Sequence, residues 1–323
     1  MKESGPDVEQ ISVRLLSYLG MELGATELTY SSPLTQILGG YDAFTYQFCL
    51  GGTGEKLSKP LILRLYGEQR NPETVIRESA VQNALSAQGY LALAVFFAST
   101  DLNILGGAFM IMSHMDGAMM IDTEREHIPR MLGEAHATLH RIDTTTLIQM
   151  LAAQGIPAAQ FSLDARLQWL DSQRLDIPWM EESIQWLIDN QPPKPRQLSI
   201  CHGDFHPINI LVSNGKVTAV LDWPGFMIDD AAIDVAATMI LVQVVADHLM
   251  PEADFGESMP QYLDSYKGIR TLDERYLDYY RMLRCVPAII EGAEGRGAWS
   301  IEPIFRSLID TVFEISKIKV VLR

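Results

Sequence analysis

Cysteine is scarce: Cys49, Cys201 and Cys285 are the three in 323 residues, and no two form a CxxC pair. That scarcity argues against both a disulfide framework and a cysteine-based zinc site. No apolar run is long enough to cross a bilayer; the longest lies within Val235 to Ala246, between Asp234 and Asp247, and suits a buried helix. The N-terminal Met1-Lys-Glu-Ser-Gly-Pro-Asp carries neither a secretory apolar core nor a basic transit pattern, so a cytoplasmic location is the expectation. Positive charge is also in short supply. With 25 Lys+Arg against 41 Asp+Glu, the net charge of −16 sets the mean field against nucleic acid and anionic membranes as partners, and it mildly favours a cationic small molecule. Repeats, low-complexity tracts and blocks of like charge are missing as well. What is present is a chain with 47% hydrophobic residues, long enough for two domains that each bury a core.

The apolar periodicity changes character along the chain and implies an α+β fold. After an opening helix around Val8 to Leu19, strand-like runs at Glu27 to Leu38, Ala43 to Leu50, Lys59 to Tyr66, Leu91 to Ala98 and Gly107 to Ser113 predict a small antiparallel sheet. Pro33 marks the first of these as an edge or bulged strand. One helix, Pro72 to Gln88, interrupts them, with Gly89 placed to end it. From Arg125 the periodicity is helical: Ile128 to Arg141, Leu163 to Gln173, Trp179 to Asn190, Ile233 to Leu249, Met259 to Tyr266, Leu272 to Glu291 with a kink at Pro287, and Glu302 to Ile318. Asp116-Gly117 supplies turn chemistry at the boundary, giving an N-terminal lobe over 1–115 and a larger, mainly helical lobe over 116–323.

The densest motif is His202-Gly-Asp-Phe-His-Pro-Ile-Asn-Ile-Leu-Val212, followed by Val220-Leu-Asp-Trp223. Gly203 and Pro207 disfavour regular structure and hold Asp204 and Asn209 on one tight loop. Asn214-Gly215 then turns a β-hairpin that returns Asp222 to the neighbourhood of Asn209. A carboxylate beside two hard oxygen donors is the set that phosphoryl transfer to a hydroxyl requires, one group for the nucleophile and two for a divalent cation.

His-Gly-Asp-x-x-x-x-Asn followed by Asp-Trp after a hairpin resembles the aminoglycoside-phosphotransferase and choline-kinase-like family, distant relatives of protein kinases. The resemblance implies a bilobal protein-kinase-like fold and transfer of a phosphoryl group from ATP or GTP to a small hydroxylated molecule. By it, Asp204 would orient or deprotonate the acceptor hydroxyl and Asn209 and Asp222 would bind Mg²⁺, while His206 would support the loop or lie near the transferred group. Gly39 and Gly40 sit where the family's nucleotide-covering turn falls, although the kinase G-x-G-x-x-G is absent. Arg64 stands where kinases carry the phosphate-contacting lysine, with Glu78 as its natural partner and Glu73 as a rival. Met112, Ser113 and His114 would read an adenine edge through the backbone. His136 and His140 lie one helical turn apart but lack a nearby third ligand, so they are expected to be structural. Asp234 is expected to cap the following helix and to receive hydrogen bonds from the catalytic loop.

The acceptor would meet the helical lobe, where Trp223, Asp229, Asp230, Glu291 and Glu294, with Phe226, Tyr279, Tyr280 and Trp299, offer carboxylates and aromatic faces. That composition suits an aminoglycoside-like cation. It also admits an amino alcohol, sugar, amino acid or macrolide as acceptor, and a pseudokinase that binds nucleotide and acts through protein contacts is the remaining alternative.

Overall fold

In the computed structural model, which describes residues 7–25, 27–37, 43–54, 57–67, 71–249 and 255–321, the chain divides into two compact units, Met1–Asp116 and Gly117–Arg323. The first unit is built on an antiparallel five-stranded sheet. Its strands are β1 (Thr29–Ile37), β2 (Ala43–Gly51), β3 (Leu61–Tyr66), β4 (Val95–Ser99) and β5 (Phe109–Ser113), in the order β1-β2-β3-β5-β4. β1 is an edge strand, and its register against β2 slips between Ser32 and Thr35, around Pro33. Proline has no N–H to give the ladder, so the slip falls where the strand cannot pair. Residues 91–94 do not extend β4, so that strand starts four residues later than the apolar run suggests.

Helix α1 (Val8–Leu23) starts at Asp7, whose carboxylate accepts from the amides of Glu9 and Gln10, and stops at Gly24 in the left-handed region. Its Ile11, Leu15 and Leu19 share a core with Tyr46, Phe48, Leu63 and Phe109 of the sheet. Helix α2 (Glu73–Ala87) follows β3 and buries Val75, Glu78, Val81 and Leu85. A single turn, α3 (Leu102–Leu105), precedes β5.

In the second unit, β6 (Ala118–Met119) pairs with the hairpin β8 (Ile210–Ser213) and β9 (Lys216–Val220), and β7 (Ser199–Cys201) pairs with β10 (Met227–Asp229). These short ladders bracket the His202–Asp222 motif. The helices around them are α4 (Ile128–Leu139), α5 (Thr144–Ala153), α6 (Leu163–Ser172), α7 (Glu181–Asp189), α8 (Ala231–Ile240), α9 (Asp247–Leu249), α10 (Phe255–Lys267), α11 (Leu277–Ala293) and α12 (Glu302–Ser316). The helix expected over Ile233 to Leu249 is helical without a gap, as α8, a π-helical stretch Leu241–Ala246 and α9. α11 runs through Pro287 as one helix. α5 had no sequence expectation; Asp143 caps it, accepting from the amides of Thr145 and Thr146. A core of α6, α7, α8, α11 and α12 side chains, including Leu170, Leu187, Ala236 and Ile289, fills this unit. No helix among the described residues is long and apolar enough to cross a membrane.

Candidate active site

The loop after β7 is held in place by its backbone. Asp234, fully buried on α8, accepts from the amides of His202 at 2.6 Å and Gly203 at 2.7 Å. Thr238, one turn further on, donates its hydroxyl to the carbonyl of Phe205 at 2.7 Å. Gly203 has φ +82°, and a Cβ built there would lie 2.2 Å from the carbonyl oxygen of Gly225, so only glycine fits. His202 Nδ1 accepts from the amide of Asp204, which leaves Nε2 to carry the proton and donate to Leu221 O at 2.8 Å. Burial lowers the pKa of His202 and favours the neutral ring that this arrangement needs.

Asp234 joins a buried cluster with His136 and His140 of α4, whose potential ligand atoms all lie within 4.8 Å of one another. The third partner that the sequence did not offer beside these histidines is Asp234, 94 residues beyond His140. The cluster is closed by hydrogen bonds, because His136 Nδ1 meets Tyr262 Oη at 2.8 Å and His140 Nδ1 meets Tyr266 Oη at 2.7 Å. Burial pushes Asp234 upward, yet the two histidines outweigh it and hold its carboxyl well below the usual range. A charged oxygen pair therefore anchors the loop amides. Asp230, not Asp234, caps α8, accepting from the amide of Ala232.

Around Asp204 three groups converge. Asn209 donates its Nδ2 to both the carbonyl and Oδ2 of Asp204, each at 3.0 Å. His206 Nε2 lies 3.3 Å from Oδ2, while its Nδ1 accepts from the amide of Ile208. Arg284 of α11 donates from Nη2 to Oδ1 at 3.3 Å. Burial alone would raise the Asp204 pKa; His206, Arg284 and His202 together reverse that and hold it far below the usual carboxylate range. The side chain is still 32% exposed, so a ligand can reach it. Arg284 escaped the sequence reading: it lies 80 positions from Asp204, on a helix read only for its acids and aromatics.

The hairpin carries Asp222 to the same place. Both turn residues have positive φ, 51° at Asn214 and 69° at Gly215, as a type I′ turn requires. Ile210 faces Val220, and the ladder runs one rung further through Leu221 N to Asn209 O at 2.8 Å. Asp222 comes directly after that rung and has φ 66°, a left-handed conformation that is uncommon for a non-glycine residue. Asn209 directs its amide nitrogen to Asp204, which turns its carbonyl oxygen the other way. That oxygen and the Asp222 carboxylate are hard donors of the kind Mg²⁺ selects, so the residues fit the ion.

In the first unit, Arg64 of β3 pairs with Glu78 of α2 at 3.2 Å, with side chains 13% and 1% exposed. Tyr66 donates its hydroxyl to the second Glu78 oxygen at 2.9 Å and lies under the Arg64 guanidinium. Glu73, the rival partner, is exposed one turn earlier on the helix. The amides of Ser113 and His114, expected to read a base, instead donate to Ala94 O and Pro60 O within this unit, and Met112 is buried at its place in β5. Gly39 and Gly40 lie outside the described residues.

The acidic acceptor surface expected from the sequence is largely engaged in framework. Asp229 is buried, and its oxygens accept from the amides of Leu163 at 2.8 Å and Asp230 at 2.9 Å, which anchors the start of α6. Asp230 caps α8 and receives the Tyr280 hydroxyl. Trp223 is buried, with its indole N–H on Val220 O and its ring against His202. Glu294 is exposed and pairs with Arg296. Glu291 is half-buried on α11. Carboxylates look like cation-binding groups in a sequence, but Asp229 and Asp230 satisfy backbone amides at helix starts.

The phosphotransferase enzyme family is the class that this loop and hairpin define: its family model matches residues 33–287, and the chain belongs to that family. It has the protein-kinase-like fold of the aminoglycoside phosphotransferases. Among solved structures, a putative aminoglycoside phosphotransferase from Ralstonia eutropha superposes with a TM-score of 0.61 at 18% identity, covering 94% of this chain and 98% of that one. The aminoglycoside phosphotransferase APH(4)-Ia, solved as a ternary complex with AMP-PNP and hygromycin B, gives 0.55 at 15% identity, covering 94% and 98%. Acyl-CoA dehydrogenase family member 11 of Gallus gallus is 29% identical over 164 residues. That match takes in 47% of this chain and about a fifth, 21%, of the relative's length.

Proposed function

We propose that the protein is a magnesium-dependent kinase that moves the γ-phosphoryl group of ATP or GTP to a hydroxyl of a small acceptor, with Asp204 holding that hydroxyl. One observation carries the reading. Asp204 and Asn209 are hydrogen-bonded within a single loop, and the hairpin ladder places Asp222 directly after the rung of Asn209. The nucleotide complex of APH(4)-Ia, a protein of the same fold, agrees with a nucleoside triphosphate as donor.

Asn209 and Asp222 would hold Mg²⁺, which supplies charge neutralisation on the nucleotide phosphates when bound. This chain's residues then do the following. Asp204, ionised because His206 and Arg284 stabilise its charge, accepts a hydrogen bond from the acceptor hydroxyl and aims the oxygen at the γ-phosphorus. The bond from acceptor oxygen to phosphorus forms as the bond between the γ-phosphorus and the β,γ-bridging oxygen breaks, and that electron pair leaves on the nucleoside diphosphate. The hydroxyl proton passes to Asp204 and then to water. A carboxyl held so far below its ordinary pKa is a weak base, so its main work is orientation, with the proton arriving late in a loose transition state. Arg64, fixed by Glu78, is the cation assigned to the nucleotide phosphates.

Of the acceptor classes, a metabolic hydroxy compound is favoured over an aminoglycoside-like polycation, because Asp229 and Asp230 are engaged with backbone amides and Glu294 with Arg296. The test is an acceptor screen that measures nucleoside diphosphate release with Mg²⁺. Asp204→Asn is expected to lower kcat by about 10²–10⁴-fold while nucleotide affinity stays within a few-fold. Turnover that survives this substitution would remove Asp204 from the mechanism, and nucleotide binding with no acceptor turned over would favour a binding-only protein.

A further inference from the structure

The aromatic face of Trp299, offered by the sequence to a cationic acceptor, is taken by a cation of the protein's own. The Arg284 guanidinium lies over that ring with Cζ 4.5 Å from its centroid. The same guanidinium donates from Nη2 to Asp204 Oδ1 at 3.3 Å, a long hydrogen bond between side chains that are 20% and 32% exposed. Such a pair is a weak tether for an arginine, which gives up much rotamer freedom to make one contact. The Arg284 Nε adds no second hydrogen bond among the described residues. The indole supplies the missing restraint, because a ring face attracts a guanidinium and confines it without competing for its N–H donors.

The ring is itself held firmly by the backbone. Beyond the end of α11 at Ala293 the chain turns back over that helix, with the amide of Arg296 on Glu291 O at 2.9 Å. Gly297 follows with φ 57° and ψ −155°, a region open essentially to glycine alone, and Trp299 lies in the short 3₁₀ turn Ala298–Ser300. The backbone of Trp299 passes Gly292 of α11 so closely that a Cβ built on Gly292 would lie 2.5 Å from Trp299 O. Half-buried, the indole packs against the core of this unit.

Asp204 is where this restraint takes effect. Its Oδ2 faces Asn209 Nδ2 at 3.0 Å and His206 Nε2 at 3.3 Å, whereas Arg284 is the side-chain partner of Oδ1. A carboxylate oxygen has two lone pairs, so Oδ1 can receive the acceptor hydroxyl beside Arg284.

We infer that Trp299 is a positioning residue for phosphoryl transfer: it holds Arg284 on Oδ1 of Asp204 and so sets the direction in which that oxygen receives the acceptor hydroxyl. This rests on the phosphotransferase reading above and adds to it a residue that acts through Arg284.

Nucleoside diphosphate release with Mg²⁺ is measured, on the acceptor found by the screen, for wild type, Trp299→Leu, Trp299→Phe, Arg284→Gln and the Arg284→Gln, Trp299→Leu double variant. Leucine keeps apolar bulk and removes the ring face, whereas phenylalanine keeps the face. Trp299→Leu is expected to lower kcat about three- to thirtyfold with nucleotide KM unchanged, and Trp299→Phe to recover most of that loss. In the Arg284→Gln background the leucine substitution should change kcat by less than about twofold, since the ring then has no guanidinium to hold. Equal fractional losses with and without Arg284 would mean that Trp299 acts by packing alone, and they overturn the inference.

Crystal structures of the two Trp299 variants supply a readout that needs no turnover. The hydrogen bond from Arg284 to Asp204 should be lost in Trp299→Leu and present in Trp299→Phe; an intact pair in the leucine variant overturns the inference. Wild-type kcat in Trp299→Leu, with Asp204→Asn inactive, does the same while leaving the phosphotransferase reading in place. Turnover retained by Asp204→Asn, or no acceptor turned over at all, removes that reading and the catalytic role of Trp299 with it.

Discussion

Asp222 concentrates two opposed demands on one residue. Its φ of 66° favours glycine, whereas the metal role assigned to it needs a carboxylate. Asp222→Gly is therefore expected to leave unfolding free energy unchanged or raise it by up to about 1 kcal/mol, while Mg²⁺-dependent nucleotide binding is lost. Chemical denaturation and nucleotide titration with and without Mg²⁺ separate the two effects. Gly203 answers only to geometry: Gly203→Ala brings a Cβ against Gly225 O at 2.2 Å in a left-handed backbone. A loss of about 3 kcal/mol is expected, read as a lowered denaturation midpoint. A variant of wild-type stability would show that the loop is not held as described.

At the scale of elements, the β8–β9 hairpin is the lever that connects a local turn to a distant chemical group. Gly215, with φ 69°, closes the turn, and the ladder, after one register shift between Leu211 and Val212, puts Leu221 N on Asn209 O. Gly215→Ala should cost about 1 kcal/mol and raise the Mg²⁺ concentration needed for half-maximal activity several-fold, with acceptor KM little changed. Titrating Mg²⁺ at fixed nucleotide checks this. The hairpin was legible in advance because Asn-Gly between two β-branched runs is a local signal with a local cause. By contrast, the π-helical stretch Leu241–Ala246 inside the expected Ile233–Leu249 helix was not legible, since apolar periodicity does not distinguish i→i+4 from i→i+5 bonding.

For the whole molecule, the consequence to be tested is acid sensitivity. Burial, followed by the neighbouring His136, lowers the pKa of His140 from 6.5 to about 4. Because the folded pKa is the lower one, the unfolded chain binds the extra proton between these values. The stability that this group contributes is then complete above pH about 6.5 and is lost as pH falls through about 4. The full swing is about 3 kcal/mol. Urea midpoints between pH 4.5 and 7 should fall on the acid side, and His140→Gln should flatten that part of the curve. Since the same cluster holds the loop amides through Asp234, activity should decline irreversibly only where unfolding begins. The sparse positive charge also has a global meaning: in a field this acidic, the Arg284 guanidinium beside Asp204 gives a strong local contrast.

The sequence by itself determined what depends on neighbours along the chain: the α+β division, the bulge at Pro33, the Asn-Gly hairpin, and the grouping of Asp204, Asn209 and Asp222 on one loop and one turn. Tertiary structure decided what depends on residues far apart. It joined Asp234 to His140 across 94 positions and Arg284 to Asp204 across 80, and it gave Asp229 and Asp230 to backbone amides. The physical reason is the same in each case. Turn and strand preferences act through adjacent dihedral angles, whereas a charge acquires its partner only when packing brings two segments together and removes the water between them.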